Sequence, residues 1–219
     1  MKKVIFMLAA VLCAAEIFSL SFKSSDEIAL CTAFTVPFTL EKNDWNDTSK
    51  TITSSASGGE IQGRIKPYGL PFGLYAQIDF SQPKKITEKR SSRTFHEKGS
   101  DYSSIWTSEF QAGVYFRSYQ SKLWYVPFGF GFHYKLNYSE VTGIETTSKM
   151  FGAGAFIQGE LKLAKSICTY IGANITYDFT GSSRRECSSG GSTAVYYSES
   201  GMLTNLAFAP KIGLVFHNR

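Results

Sequence analysis

From Leu123 to Tyr138 the chain alternates without a break. Trp124, Val126, Phe128, Phe130, Phe132, Tyr134, Leu136 and Tyr138 fill the even positions, with Gly129, Gly131, His133, Lys135 and Asn137 among the odd ones. Successive side chains of a strand point to opposite faces, whereas a helix needs apolar residues three and four apart. The segment is therefore one long β-strand with a bulky apolar face. The same pattern recurs over Ile28–Leu40, Pro71–Phe80, Ile105–Phe116, Met150–Leu163, Ile167–Phe179 and Leu203–His217. Gly59–Tyr68 alternates most weakly and is read as a strand because the topology needs one there. These eight segments predict an all-β chain.

The connections alternate in length. Glu41–Gly58, Ser81–Ser104 and Gly181–Gly201 are long and Ser139–Lys149 is intermediate, while the links near Gly69, over Arg117–Lys122 and over Ala164–Ser166 are short. Long loops on one rim and short turns on the other are the mark of an antiparallel transmembrane barrel. No linker divides the chain, so one domain is expected.

The N-terminus predicts export. Met1-Lys2-Lys3 precedes an unbroken apolar stretch from Val4 to Ala15, which reads as a signal peptide and is too short to span a bilayer as a helix. Cleavage after Ala15 or after Ser19 fits; the second divides the chain into a leader, 1–19, and a barrel domain, 20–219. Lipidation of Cys13 is not expected, because Leu12 is not the small residue wanted before it. Cys31, Cys168 and Cys187 remain, an odd number that closes no disulfide framework, and no cysteine–histidine spacing resembles a zinc site. Neither a metal nor another cofactor is expected.

Composition decides which face is outside. Charged residues are 19% and aromatic residues 15% of the chain. A soluble domain averages about 25% charged, and a soluble barrel would cover its second face with Lys, Glu and Ser. Here that face is largely Gly, Ala, Thr, Tyr and Gln, which suits the crowded lumen of a narrow barrel. The strands run near the 9–11 residues that cross a bilayer when tilted. Trp106, Trp124, Tyr138, Tyr177 and Phe179 near strand ends fit interfacial girdles. The formal charge of +5 argues only weakly for an anionic partner, and nucleic acid is not expected.

The chain thus resembles the small eight-stranded outer-membrane barrels such as OmpX, OmpW and the OmpA membrane domain, over about residues 27–217. The likeness is one of architecture, with Leu206–Phe216 as its best local element. It implies an eight-stranded antiparallel up-and-down barrel in the outer membrane, delivered by the outer-membrane assembly machinery, which reads a closing strand with a terminal aromatic. Phe216 is followed by His217-Asn218-Arg219, a departure from that pattern. Lipid-modifying barrels of this size include a group with a His-x-Ser-Asn motif; here the positions read His133-Tyr134-Lys135-Leu136, so no enzyme is expected.

Strand parity places Asp79, Glu109, His133, Lys135, Glu160, Lys162, Asp178 and Lys211 in the lumen. Buried charges must be paired, so a salt-bridged plug is expected; the sharper reading is a gated solute path in which the pairs rearrange. Cys31 and Cys168 face the lumen two strands apart, too far for a disulfide. Lys84, Lys85, Lys89, Arg90, Arg93 and Lys98 give the second long loop a basic character suited to lipopolysaccharide phosphates, glycans or a host surface. The loop Gly181–Gly201, with Arg184-Arg185-Glu186-Cys187 and a Gly/Ser stretch, should be mobile. The expected function is a monomeric structural or surface-interaction (adhesion-type) barrel. The alternative is a narrow channel for small solutes.

Overall fold

The computed structural model describes residues 27–45, 48–90, 93–121, 123–189, 192–197 and 203–218. The expected leader lies outside them. The elements are β1 (Glu27–Thr35), β2 (Phe38–Trp45), β3 (Thr48–Lys66), β4 (Gly73–Arg90), β5 (Arg93–Lys98), a short 3-10 turn (Gly99–Asp101), β6 (Ser104–Gln120), β7 (Trp124–Val141), β8 (Ile144–Lys162), β9 (Ile167–Ser189), β10 (Ser192–Tyr197) and β11 (Leu203–His217).

All pairings are antiparallel. β1 and β2 are two halves of one wall, each bonded to β3 on one side and β11 on the other, and β11 also pairs with β9. The sheet therefore closes as a ring of 8 strands, β1/β2–β3–β4–β6–β7–β8–β9–β11. Pro37 interrupts the first wall because it has no N–H to give the ladder. The break is bridged locally: Val36 donates to the Pro210 carbonyl at 3.1 Å, and Ala56 donates to the Pro37 carbonyl at 2.9 Å. The outer ends of β1 and β11 seal the seam. Asn218 donates its backbone N–H to Ile28 O at 3.2 Å, and its side-chain oxygen accepts from Ile28 N at 2.9 Å.

Closure leaves the ring of eight walls no edge among the described residues, so its backbone polar groups need nothing from lipid. What remains outside is apolar: Phe130 is 55% exposed, Ile171 70% and Ile212 55%. Trp106 stacks between Phe80 and Tyr138, with centroids at 6.1 and 5.5 Å, which forms an aromatic belt near the long-loop rim. From Trp124 to Tyr138, at about 3.3 Å per residue and a tilt of about 40°, β7 rises roughly 35 Å. That clears a hydrocarbon core of about 30 Å.

The expected strand ends were too short on the long-loop side. Glu41–Gly58 is mostly the β2–β3 hairpin, and Ser81–Ser104 is mostly an extension of β4 paired with β5. Likewise β9 runs on to Ser189 and pairs with β10. These ribbons leave the membrane, where no face must be apolar throughout, and the apolar alternation that marked the strands stops. The Gly/Ser part of the last loop, 190–191 and 198–202, lies outside the described residues.

Candidate functional site

Since lipid takes the apolar face, the opposite parity points polar side chains into a bore that eight strands leave just wide enough to fill. The charged and amide groups there form three levels. Nearest the short-turn rim, Arg64 on β3 donates through Nη2 to Glu160 Oε1 at 2.5 Å and through Nη1 to Gln158 at 3.2 Å. β3 and β8 stand four walls apart in the ring, so these bonds cross its full diameter. Gln158 also donates to Gln62 at 3.3 Å, and Gln62 to Gln77 at 2.9 Å. Arg64 lies over the Tyr115 ring at 5.6 Å, which covers the remaining face of the guanidinium. Below, Glu27 pairs with Arg117.

At mid-height, Glu60 receives Lys211 Nζ on both oxygens, at 2.7 and 2.9 Å, with Asn174 donating at 2.9 Å and Tyr170 at 3.4 Å. Lys211 also lies 5.5 Å from the Phe156 centroid and 5.9 Å from that of Tyr170. Phe156 packs edge-on against Tyr75 at 4.8 Å, and Gln111 donates to the Tyr75 hydroxyl at 2.6 Å. Glycines make room for these rings: a Cβ on Gly73 would lie 2.3 Å from the Tyr115 ring, and one on Gly129 2.5 Å from Phe156.

The upper level centres on His133, whose Nδ1 faces Asp178 at 2.7 Å and whose Nε2 faces Glu109 at 3.3 Å. Lys135 sits 3.5 Å from the other Glu109 oxygen, and Asn205 donates to Asp178 at 3.0 Å. Asp79 lies in register between Glu60 and Glu109 and accepts from Gln77 at 2.6 Å. Higher still, Asn137 donates across the ring to Glu41 at 3.4 Å.

Of the residues expected in the lumen, Asp79, Glu109, His133, Lys135, Glu160, Asp178 and Lys211 are brought into this network. Lys162 is not: it sits half-exposed at the short-turn rim, opposite Cys168 in register. His217, expected to be merely terminal, is buried in the lumen at 7% exposure, because its neighbour Asn218 fastens the last strand to the first. Glu60, Gln62 and Arg64 were missed altogether although they organise two levels. Parity along β3 could have found them, since they alternate with Ile61, Gly63 and Ile65. Cys31 and Cys168 flank Val215, which pairs with both, and neither is in a disulfide. Glu160, Cys168 and His217 converge so that one ligand atom of each lies within 4.8 Å of the others. No local spacing announces that cluster.

Outside the membrane, all six basic residues expected in the second loop are exposed, on the β4–β5 ribbon and the bulge before it. A register shift between Ser55 and Ala56 leaves Lys84 without an opposite partner and exchanges the faces of β4. Beyond it Lys85 stands opposite Lys98, and Arg90 opposite Arg93. Like charges placed opposite each other repel. Glu88 relieves one end, bonding Lys50 at 2.5 Å and Arg90. Partial burial pushes its carboxyl up, but these two cations outweigh it and hold the group below the ordinary glutamate range. Tyr102 donates to Glu97, and burial, then that carboxylate, raises its hydroxyl above the ordinary tyrosine range.

No family model and no curated relative matches the sequence. Solved structures do match in fold. Neisserial surface protein A superposes with a TM-score of 0.53 at 7% identity, covering 86% of this chain and 97% of that one. A major outer membrane protein from Thermus thermophilus gives 0.51 at 13% identity, covering 85% and 98%. The outer membrane protein AlkL gives 0.50 at 9%, covering 92% and 93%. The fold is that of the small outer-membrane β-barrels.

Proposed function

We propose that the chain is an outer-membrane barrel whose work is done at the outer surface, with the lumen closed as a structural plug. The observation that carries this is the set of bonds across the full bore, Arg64 to Glu160 and Gln158 to Gln62, with the buried Glu60–Lys211 pair above them. Side chains tied to both walls at these levels leave the exposed ribbons as the chain's accessible chemistry. The β4–β5 ribbon offers Lys85, Lys89 and Lys98 on one face, two of them directly opposite each other, and so favours a polyanion such as lipopolysaccharide phosphate or a sulfated glycan. Membrane lipid and the outer-membrane assembly machinery are the other partners of this reading, and the chain acts as a monomer. The reading is non-enzymatic: both His133 ring nitrogens face carboxylates, which orients the ring as a tie between walls.

The test is binding of lipopolysaccharide and of a sulfated polysaccharide to the folded chain in detergent. Each exposed cation contributes about 0.5–1 kcal/mol. Lys85→Gln, Lys89→Gln and Lys98→Gln together should therefore weaken binding about 10- to 150-fold and leave bilayer conductance unchanged. Unaltered binding by the triple variant refutes the surface reading. A narrow solute path is the second reading. It is favoured by Thr35 Oγ1, Asn174 Oδ1, Thr176 Oγ1 and Asn205 Oδ1, which among the described residues are buried without a hydrogen-bond partner. Such atoms suit a file of water.

A further inference from the structure

We propose that Glu160, Cys168 and His217 form a binding site for a thiophilic divalent cation, Zn2+ in particular, at the short-turn end of the lumen. The proposal stands apart from the surface and channel readings and does not depend on either.

Three adjacent walls supply the ligands. Cys168 on β9 is paired with Val215 on β11, and His217 is the next inward position along β11. Glu160 on β8 is opposite Tyr170, two residues along β9 from Cys168 on the same face. The donor atoms are thus set by strand backbones rather than by loops, which favours a preformed geometry. Glu160 Oε2 and His217 Nε2 are 3.4 Å apart, and all three donors lie within 4.8 Å of one another. Ligands about 2.0–2.3 Å from a tetrahedral zinc ion sit about 3.4–3.7 Å from each other. The oxygen–nitrogen pair already has that spacing, and the thiol lies within 4.8 Å of both donors.

His217 supplies the independent indication. Its side chain is 3% exposed, yet neither ring nitrogen makes a hydrogen bond, each having only a carboxylate at ion-pair distance. Buried polar groups are nearly always hydrogen-bonded, so an imidazole held only by two long carboxylate contacts leaves room for a ligand. Its Nε2 is aimed at Glu160, while its Nδ1 faces the Glu27 carboxylate at 3.5 Å. A carboxylate behind the non-ligating nitrogen is the usual second partner of a zinc-binding histidine, since it fixes the tautomer and the ring's orientation.

The charges also fit. Glu160 divides its oxygens, Oε1 to Arg64 at 2.5 Å and Oε2 toward His217, so one stays available to the ion without breaking the bond across the bore. On binding, the Cys168 thiol gives its proton to solvent and its sulfur lone pair to the metal; thiolate and carboxylate then balance two positive charges. One sulfur, one nitrogen and one oxygen donor suit zinc and disfavour Mg2+ and Ca2+, which prefer oxygen alone.

The experiment uses the chain extracted folded from membranes, stripped with a chelator and titrated with Co2+, then Zn2+. One equivalent of Co2+ should give a thiolate-to-cobalt charge-transfer band that Zn2+ abolishes. Cys168→Ser should remove the band, whereas Cys31→Ser and Cys187→Ser should retain it. His217→Gln should weaken Zn2+ at least 10-fold, and Glu27→Gln, which leaves the three ligands in place but removes the orienting carboxylate and its pair with Arg117, about 10-fold. Folding of each variant is read from its mobility shift between unheated and boiled gels. Should Cys168→Ser not fold, Zn2+ must slow alkylation of Cys168 in the parent chain at least 10-fold. Absence of the band in the parent chain, its survival in Cys168→Ser, its loss in Cys187→Ser, or alkylation indifferent to Zn2+ would each overturn the site.

Discussion

Removing Lys211 should damage the barrel more than removing its partner, and removing both should restore most of the loss. Glu60 and Lys211 side chains are both 0% exposed and share two bonds, at 2.7 and 2.9 Å. In Lys211→Met the stem keeps its volume, but Glu60 retains only Asn174 at 2.9 Å and Tyr170 at 3.4 Å as donors. An uncompensated buried charge of this kind costs about 3–5 kcal/mol. In Glu60→Gln the ammonium still faces the Phe156 and Tyr170 rings at 5.5 and 5.9 Å. Those faces recover about 1–2 kcal/mol, so the loss should be about 2–3 kcal/mol. The double variant buries two neutral groups and should come within about 1 kcal/mol of the parent, since a buried pair is roughly an even exchange against neutral groups of the same shape. Urea unfolding of the barrel in lipid vesicles measures all three, followed by tryptophan fluorescence and by mobility on unheated gels. A Lys211→Met loss below about 1 kcal/mol, or a double variant as unstable as the sum of the singles, refutes the reasoning.

Three further outcomes follow from the same geometry. The parent chain should be silent in planar bilayers, and Arg64→Ala with Glu160→Ala, which removes side chains tied across the diameter, should admit unit currents; steady currents from the parent would sink the plug. Gly131→Ala should destabilise the barrel by about 1–3 kcal/mol, because a Cβ there would lie 1.9 Å from the Ala112 carbonyl oxygen; urea midpoints check it. The Glu88 carboxyl is held below its ordinary value of 4.5, so its ties to Lys50 and Arg90 stabilise the ribbon fully above that value. That stability is lost only as pH falls through the lowered folded value. Protection of β4 and β5 amides, relative to their intrinsic exchange rates, should therefore persist at pH 5 and fall in stronger acid, and a fall already between pH 7 and 5 contradicts the pairing.

The transmembrane walls were legible because lipid imposes a strict period of two on the outward face. Phe128, Phe130 and Phe132 repeat it with no exception, and β7 was found nearly to its ends. β3 was barely legible for a physical reason: its outward row reads Ile61, Gly63, Ile65, diluted by glycine, while its inward row of Glu60, Gln62 and Arg64 resembles loop composition. The ribbons were invisible because water on both faces removes the constraint. Parity placed most lumen charges on the correct side but could not pair them. That Arg64 meets Glu160 depends on the stagger with which the ring closes, a property of the whole register that no single strand carries. The bulge at Ser55/Ala56 changes that parity within β4, so Glu88 faces inward where simple alternation from Asp79 would point it out.

The same closure explains why the chain's ends matter. In an open sheet the residues after an edge strand would be expected to fray, but here β11 must meet β1 for the ring to exist. Asn218 bonds Ile28 through both backbone and side chain, and His217, paired with Ala29, is thereby carried inside. Phe216 keeps its outward, lipid-facing position at 43% exposure, while beyond it Asn218 fastens the seam and His217 lines the bore. A chain ending at Phe216 would retain the aromatic yet lose both the clamp on Ile28 and the imidazole beside Glu160. His217 and Asn218 therefore belong to the barrel's interior chemistry and to the closure of its ring.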